Sequence, residues 1–416
     1  MKEPMAFQFA LWPSQNLLIL FHFLDVVIAE DVLVEKLMIA YLDARENERN
    51  RTAQLEFEIN LESNLYELKL DILKGRYEPL PLTCFIIEDP VKREVFAPNF
   101  RDRIISHFIY NEVIQIFERI FIYDSYACRK GKGTLFGIKR AEHQILSCTN
   151  NRTKQAYGLT LDISGYFMNI NKNKLLDIVK GIFNKYQYRQ YDENRVWDDV
   201  IDFKLIIFLL ERILLRNPLK DCRIVSSKKK WIGLPPNKSL FNSPEGVGLI
   251  IGDVLSQLLS NVYMNVFDQY VKRVLKCKYY GRYVDDAFIL HEDREYLKSI
   301  IPQIEEFLSV NLDLKLNKKK VKVFDLQYNF RFLGACIRPY RRYVRSRTVR
   351  KFRKTIYTIE KNITPETRLE YINTINSYLG YLSHFKTYRE KRHNLYNKEI
   401  NKYFKFTRGY KKAVIK

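Results

Sequence analysis

Two adjacent carboxylates, Asp285 and Asp286, sit inside the β-prone and largely apolar run Tyr279-Tyr280-Gly281-Arg282-Tyr283-Val284-Asp285-Asp286-Ala287-Phe288-Ile289-Leu290. The pattern predicts strand, turn and strand from Lys278 to His291, with the acidic pair at the bend. Burying such a pair costs several kcal/mol unless cations compensate it. For an isolated Asp-Asp, an exposed hairpin turn is the plainer reading, because Asp is common in turns. The other reading is a metal site. In-line displacement at phosphorus is served by two Mg²⁺ ions clamped by carboxylates, and a pair on one turn with a third on an adjacent strand supplies that geometry. Tyr157 to Ile163 alternates Leu159, Leu161 and Ile163 as a buried strand does, and Asp162 stands at its end.

Charge narrows the choice of partner. Lys and Arg number 70 against 48 Asp and Glu, a formal net charge of +22, which favours partners dense in negative charge. Nucleic acid comes first. A membrane surface is the rival, but the cations are spread along the chain and form no single cluster beside an anchor, so no stable membrane association is expected. The 46% hydrophobic content of 416 residues suits a globular protein of two or three cooperating domains. Six scattered cysteines (Cys84, Cys128, Cys148, Cys222, Cys277 and Cys336) form no C-x-x-C pair and read as reduced, mostly buried thiols of an intracellular protein. Pro4 to Leu24 carries no charge and its apolar part is signal-like. Glu3, the Pro13-Ser14-Gln15-Asn16 interruption and Asp25 favour instead an N-terminal arm over residues 1–30.

Along the chain, Glu30 to Leu73 predicts a helix pair, and Thr83 to Glu88 with Val91 to Ala97 a hairpin about Asp89-Pro90. A helix is expected from Asp102 to Phe121, then a basic glycine loop from Ser125 to Thr134. Helical stretches follow near Lys172 to Lys185 and Trp197 to Leu215. Residues 217–247, rich in Lys, Pro, Ser and Gly, form a long connection or insertion. Helices over Asp253 to Leu275 and Asp293 to Leu308 flank the acidic hairpin, and Val321 to Leu326 and Phe330 to Ile337 read as two strands. From Arg338 to Lys354 the chain carries nine cations interleaved with Tyr340, Tyr343 and Phe352, and the rest reads as helical. A solvated basic helix face is the bland account of that stretch; contact with nucleic-acid phosphates is the other.

At Tyr283-Val284-Asp285-Asp286 the sequence resembles the reverse transcriptases, whose motif is Y-x-D-D at a hairpin bend. Further motifs follow the family's order: Arg101-Asp102-Arg103-Ile104-Ile105, Ser125-Tyr126-Ala127-Cys128-Arg129-Lys130-Gly131-Lys132-Gly133, Leu161-Asp162-Ile163-Ser164-Gly165-Tyr166-Phe167, Ile251-Gly252-Asp253-Val254-Leu255-Ser256-Gln257 and Phe332-Leu333-Gly334. They cover roughly residues 85 to 340. The resemblance implies an α+β right-hand polymerase: fingers over 31–156, a palm with antiparallel sheet and helices over 157–338, and a basic helical thumb over 339–416.

It also implies roles. Asp162, Asp285 and Asp286 are the expected catalytic residues, with Ile163 joining them around two Mg²⁺ ions, for which Mn²⁺ can substitute. Phe167 matches the aromatic gate against ribonucleotides; an ordinary core Phe is the alternative. Lys92, Arg93, Arg129 and Lys130 are candidates for the incoming triphosphate. Ile251 and Gly252 would border the nascent base pair, and Ser256, Gln257, Tyr283, Arg341 and Arg345 would meet template or primer.

Here the commoner Q-G-x-x-x-S-P pattern is altered, with Ile251 in place of Gln and Gln257 in place of Pro. That departure is similar to the reverse transcriptases of diversity-generating retroelements. Such a resemblance implies a cytoplasmic, bacterial or phage-encoded enzyme that copies a template RNA from a DNA primer with deoxynucleoside triphosphates, errs opposite adenine, and acts with a small basic accessory protein. Retron, group II intron and phage-defence enzymes are the alternatives, together with a catalytically silent RNA-binding protein of the same fold.

Overall fold

The computed structural model describes residues 30–416 apart from 47, 50, 89, 90, 339, 340 and 397. The N-terminal arm and the Asp89-Pro90 turn lie outside the described residues. Helices α1 (Glu30–Arg45), α2 (Thr52–Ile59) and α3 (Leu61–Leu73) come first, three where a pair was expected. The extra break is at Asn60, whose backbone leaves the helical region (φ −123°, ψ 46°). Strands β1 (Leu82–Ile87) and β2 (Arg93–Ala97) form the expected antiparallel hairpin. Next is α4 (Phe100–Ile120), started by the Asn99 side chain accepting from Arg101 N. Helix α5 (Thr134–Cys148) follows the glycine loop.

Strand β3 (Tyr157–Leu161) leads into α6 (Lys172–Tyr186), capped by Asn171, and α7 (Phe203–Leu215), capped by Asp202. Trp197 begins only a short 3₁₀ turn; helix α7 starts later than periodicity alone suggested, where Asp202 accepts from Leu205 N. The 217–247 connection contains strand β4 (Cys222–Ile224), parallel to β1, and three 3₁₀ turns. Helix α8 (Val254–Gln269) ends in a π turn over Tyr270–Val274. After β5 (Tyr279–Tyr283) and β6 (Asp286–His291) come α9 (Arg294–Leu312) and β7 (Lys322–Asp325).

The four-stranded sheet runs in the order β5-β6-β3-β7, antiparallel throughout. Its inner strand β6 is apolar without alternation because both faces are covered. Ala287 and Ile289 join the main core with Ile109 of α4, Val262 of α8 and Ile304 of α9. Phe288 and Leu290 join a second core with Ile138 and Ile145 of α5. Each of the larger buried side chains contributes roughly 1.5–3 kcal/mol, and together they fix the sheet that carries the acidic turn.

The stretch read as one strand from Phe330 to Ile337 is instead a hairpin, β8 (Phe330–Phe332) and β9 (Ala335–Arg338). It folds where Leu333 and Gly334 take positive φ (46° and 82°). Strand β10 (Arg341–Val344) extends it. Helices α10 (Ser346–Asn362), α11 (Arg368–Ser383) and α12 (Tyr388–Leu395) complete a separate core around Phe352, Ile356, Leu379 and Phe404. The rest was expected to be helical, but its end is not: β11 (Phe404–Phe406) pairs with β12 (Ala413–Ile415). All six cysteines are free; Cys84, Cys148 and Cys277 are buried and Cys128 is exposed.

Candidate active site

The β5–β6 hairpin pairs Tyr283 with Asp286, so Val284 and Asp285 form a two-residue turn. On the other side of β6, Leu161 pairs with Ala287, which puts Asp162 one step beyond the ladder beside Asp286. Three carboxylates thus meet at one end of the sheet. Loss of hydration, then the Asp162 charge, raises the Asp285 pKa; the Lys320 and Arg93 charges oppose the shift. The Asp286 carboxyl is pushed up to about 6, first by loss of hydration among surrounding protein and then by Asp285 and Asp162. Asp286 as a residue nevertheless keeps an exposed surface.

Asp162 is 4% exposed and already has partners. Lys320 Nζ donates to its Oδ1 at 2.6 Å and Asn317 Nδ2 to its Oδ2 at 3.0 Å. The main chain ties the same segments together: Asn317 N donates to Asp162 O, Ser164 N to Lys315 O, and Ile163 bridges Leu316. Asn317 and Lys320 were given no role from the sequence. Lysine is so frequent in 315–322 that no single one stood out.

Among the described residues, no group of three or more His, Cys, Asp or Glu side chains is arranged ready to hold a metal ion. The donor chemistry still fits a hard divalent cation. The three carboxylates are oxygen donors; loss of hydration first, and then their mutual charge, raises the pKa values of Asp285 and Asp286.

Around the carboxylates, Gly252 has φ 124° and lies against β2, where an added Cβ would stand 2.9 Å from Val95 Cγ1. The carbonyl of its neighbour Ile251 accepts from Phe96 N. Phe167 and Ile251 are half-buried and pack on one apolar cluster with Phe96, Met168 and Leu240. Lys92 Nζ donates to Ile232 O at 3.0 Å, while Arg93 is exposed. The glycine-loop candidates part company. Arg129 turns inward, its Nε and Nη2 on Glu118 and its Nη1 on the carbonyls of Ile122 and Ser125, whereas Lys130 is exposed.

Ser256 is buried on α8; Gln257 is exposed and its Oε1 accepts from Cys128 Sγ. Tyr283 packs half-buried against the second core. Arg341 and Arg345 are exposed on β10 and at the start of α10, outside the carboxylate cluster.

Residues 91–337, more than half of the chain, match the family profile described as reverse transcriptase (RNA-dependent DNA polymerase). The chain belongs to that family. It is similar to Protein YkfC of Escherichia coli (strain K12), 24% identical over 318 residues, covering 68% of this chain and 73% of that protein. Among solved structures it is similar to apo telomerase from Candida tropicalis truncated from its C-terminal domain, with 13% identity and a TM-score of 0.44 over 64% of this chain and 55% of that one. Telomerase from Candida albicans with a fragment of telomeric RNA gives 10% identity and a TM-score of 0.45 over 77% and 57%. The reverse-transcriptase chain described here thus spans little more than half the length of either telomerase chain. No helix among the described residues is long and apolar enough to cross a membrane.

Proposed function

We propose that the protein is an RNA-directed DNA polymerase that copies a template RNA into cDNA by two-metal nucleotidyl transfer. The observation that carries this reading is the convergence of Asp162 with Asp285 and Asp286 at one end of the sheet, in a chain of this family. Asp162, Ile163, Asp285 and Asp286 would hold Mg²⁺ or Mn²⁺, which when bound lowers the pKa of the primer 3′ hydroxyl and neutralises charge on the departing pyrophosphate. In the right-hand reading, 31–156 are fingers, 157–338 palm and 339–416 thumb.

The chain's own groups would then orient the reactants. Arg93, with Lys92 and Lys130, attracts the triphosphate; Arg129, saturated by Glu118 and two carbonyls, shapes the loop instead. Phe167 presses on the sugar, and Gly252 admits the nascent pair close to the backbone. Ser256, Gln257 and Tyr283 face template or primer, and Arg341 and Arg345 meet the duplex phosphates.

The altered motif at Ile251 and Gln257 supports assignment to the diversity-generating retroelement type, with a small basic accessory protein as partner. An aliphatic side chain at 251 offers no hydrogen bond beside the incoming nucleotide, so discrimination falls on shape. A second reading, a catalytically silent RNA-binding protein of the same fold, is favoured by one observation: Lys320 occupies Asp162 directly.

Primer extension on a heteropolymeric RNA template with Mg²⁺ and four deoxynucleotides separates these readings. The polymerase reading expects extension by wild type and none by Asp285→Ala. Errors concentrated opposite adenine, reduced by Ile251→Gln, are expected for the retroelement type; accurate copying would move the assignment to the retron, intron or phage-defence enzymes. Absence of extension, even with a basic partner and its own RNA, would favour the silent protein.

A further inference from the structure

Behind the acidic turn lies a charged network that none of these roles uses. Arg282, on β5, has no exposed surface and faces Asp268 of α8, which has none either. The guanidinium grips both carboxylate oxygens, Nε donating to Oδ1 at 2.7 Å and Nη2 to Oδ2 at 2.6 Å. The Tyr280 hydroxyl donates to Oδ1 at 2.6 Å. The third nitrogen, Nη1, donates to the main-chain carbonyl of Val284 at 2.9 Å and lies 3.3 Å from Asn261 Oδ1. Main-chain bonds to Asp124 and Tyr126 hold Arg282 from the side of the glycine loop.

A fully buried ion pair is no general source of stability, since well-packed apolar residues of similar volume often serve as well. The strand neighbours of Arg282 are apolar or aromatic, so its charge calls for another account. Val284 supplies one. Its φ is 55°, in the left-handed region that a β-branched residue seldom occupies. Such a conformation persists only where the surroundings over-determine it. The Val284 carbonyl is the peptide link into Asp285, and Arg282 fixes that carbonyl.

We propose that Arg282, held by Asp268 and Tyr280, is a positioning residue that locks the Val284 carbonyl and so sets the aim of Asp285 and Asp286 during nucleotide addition. The role rests on the polymerase reading above. It depends on the planar fork: one nitrogen of a lysine cannot span two carboxylate oxygens and a carbonyl at once. The same network joins the turn to α8 and to the glycine loop, so the acidic turn has a fixed orientation relative to both.

The test is single-turnover nucleotide addition by the full chain, with thermal unfolding measured alongside. In the triple variant Arg282→Met, Asp268→Leu, Tyr280→Phe, the buried charges and the hydroxyl disappear together. It is expected to fold with an unfolding midpoint near that of wild type, to add nucleotide at a maximal rate lower by about a hundredfold, and to keep its half-saturating deoxynucleotide concentration within roughly threefold. A folded triple variant with the wild-type rate would overturn the role.

If the triple variant does not fold, Arg282→Lys decides. A rate loss of about tenfold or more with little change in half-saturation supports positioning, and a wild-type rate refutes it. Wild-type protein that extends no primer would remove the polymerase reading first, and this role with it, an outcome distinct from active wild type with unaffected variants.

Discussion

Two ion pairs near the acidic turn have the same length and opposite surroundings. Lys320 to Asp162 and Arg282 to Asp268 both measure 2.6 Å, yet the Lys320 side chain is 62% exposed while Arg282 and Asp268 are wholly buried. Lys320 can turn into solvent, while Asp162 stays buried and keeps its bond from Asn317. Nothing can replace Arg282. The outer pair is therefore exchangeable, suited to a carboxylate that must also serve another cation, and the inner pair is framework. Distance alone would have ranked them equal; desolvation separates them.

The largest effect expected of that contrast is Asp268→Ala. It leaves a guanidinium buried without its counter-charge and should lower unfolding free energy by about 3–5 kcal/mol, measured by denaturant titration. A loss below about 1 kcal/mol would break the comparison, because the inner pair would then behave like a surface one. Asp285→Ala comes next and has a different signature. Extension should fall by at least about a hundredfold, roughly 2.7 kcal/mol of transition-state stabilisation. Stability should hold or rise, since the substitution removes a carboxylate whose pKa is raised first by loss of hydration and then by the Asp162 charge, and which in turn raises that of Asp286. A variant that lost both activity and stability would place Asp285 in the framework as well.

A third carboxylate sharpens the contrast from between the two extremes. Glu94 of β2 is buried and is answered by neutral donors: Ser239 Oγ at 2.6 Å, Leu240 N at 2.9 Å and Trp231 Nε1 at 3.1 Å. All three belong to the 217–247 connection, which Glu94 therefore fastens to the hairpin. Glu94→Ala orphans these donors, at a cost of about 1–3 kcal/mol. The effect should be local, appearing as faster amide hydrogen exchange over 228–243 with little change in the central sheet. Uniform loss of protection would show that the connection is part of the main cooperative unit.

These contrasts also explain what could be read from the sequence. The acidic hairpin, β3 and the Asp162 position were legible because strand alternation and turn chemistry are local. The break at Asn60 falls within a charged helical stretch and the fold at Leu333-Gly334 within a mostly apolar run; both were missed because each is set by backbone conformation. The C-terminal β11–β12 pair escaped because its strands are three residues each. Arg282 carried a usable signal: a charge within a strand expected to be buried demands a partner. That partner, Asp268, lies fourteen residues away on the buried side of another helix, and one-dimensional spacing does not reveal it. Lys320 carried none, being one cation among many, and nothing in the glycine loop's sequence marks Arg129 as the cation that turns inward onto Glu118.

The smallest effect belongs to the outer pair. Lys320→Ala removes a partner from Asp162 but leaves Asn317 Nδ2 on the other carboxylate oxygen, and the lysine removed is itself 62% exposed. The pair should contribute less than about 1 kcal/mol to unfolding free energy, and less still as salt rises. Under the metal-binding reading the same substitution frees Asp162 for a cation. Added Mg²⁺ should therefore raise the unfolding midpoint more in Lys320→Ala than in wild type, a shift that follows from binding to the folded state alone. A large stability loss in Lys320→Ala would make the lysine a structural counter-charge, and the exchangeable pair would become a second framework pair.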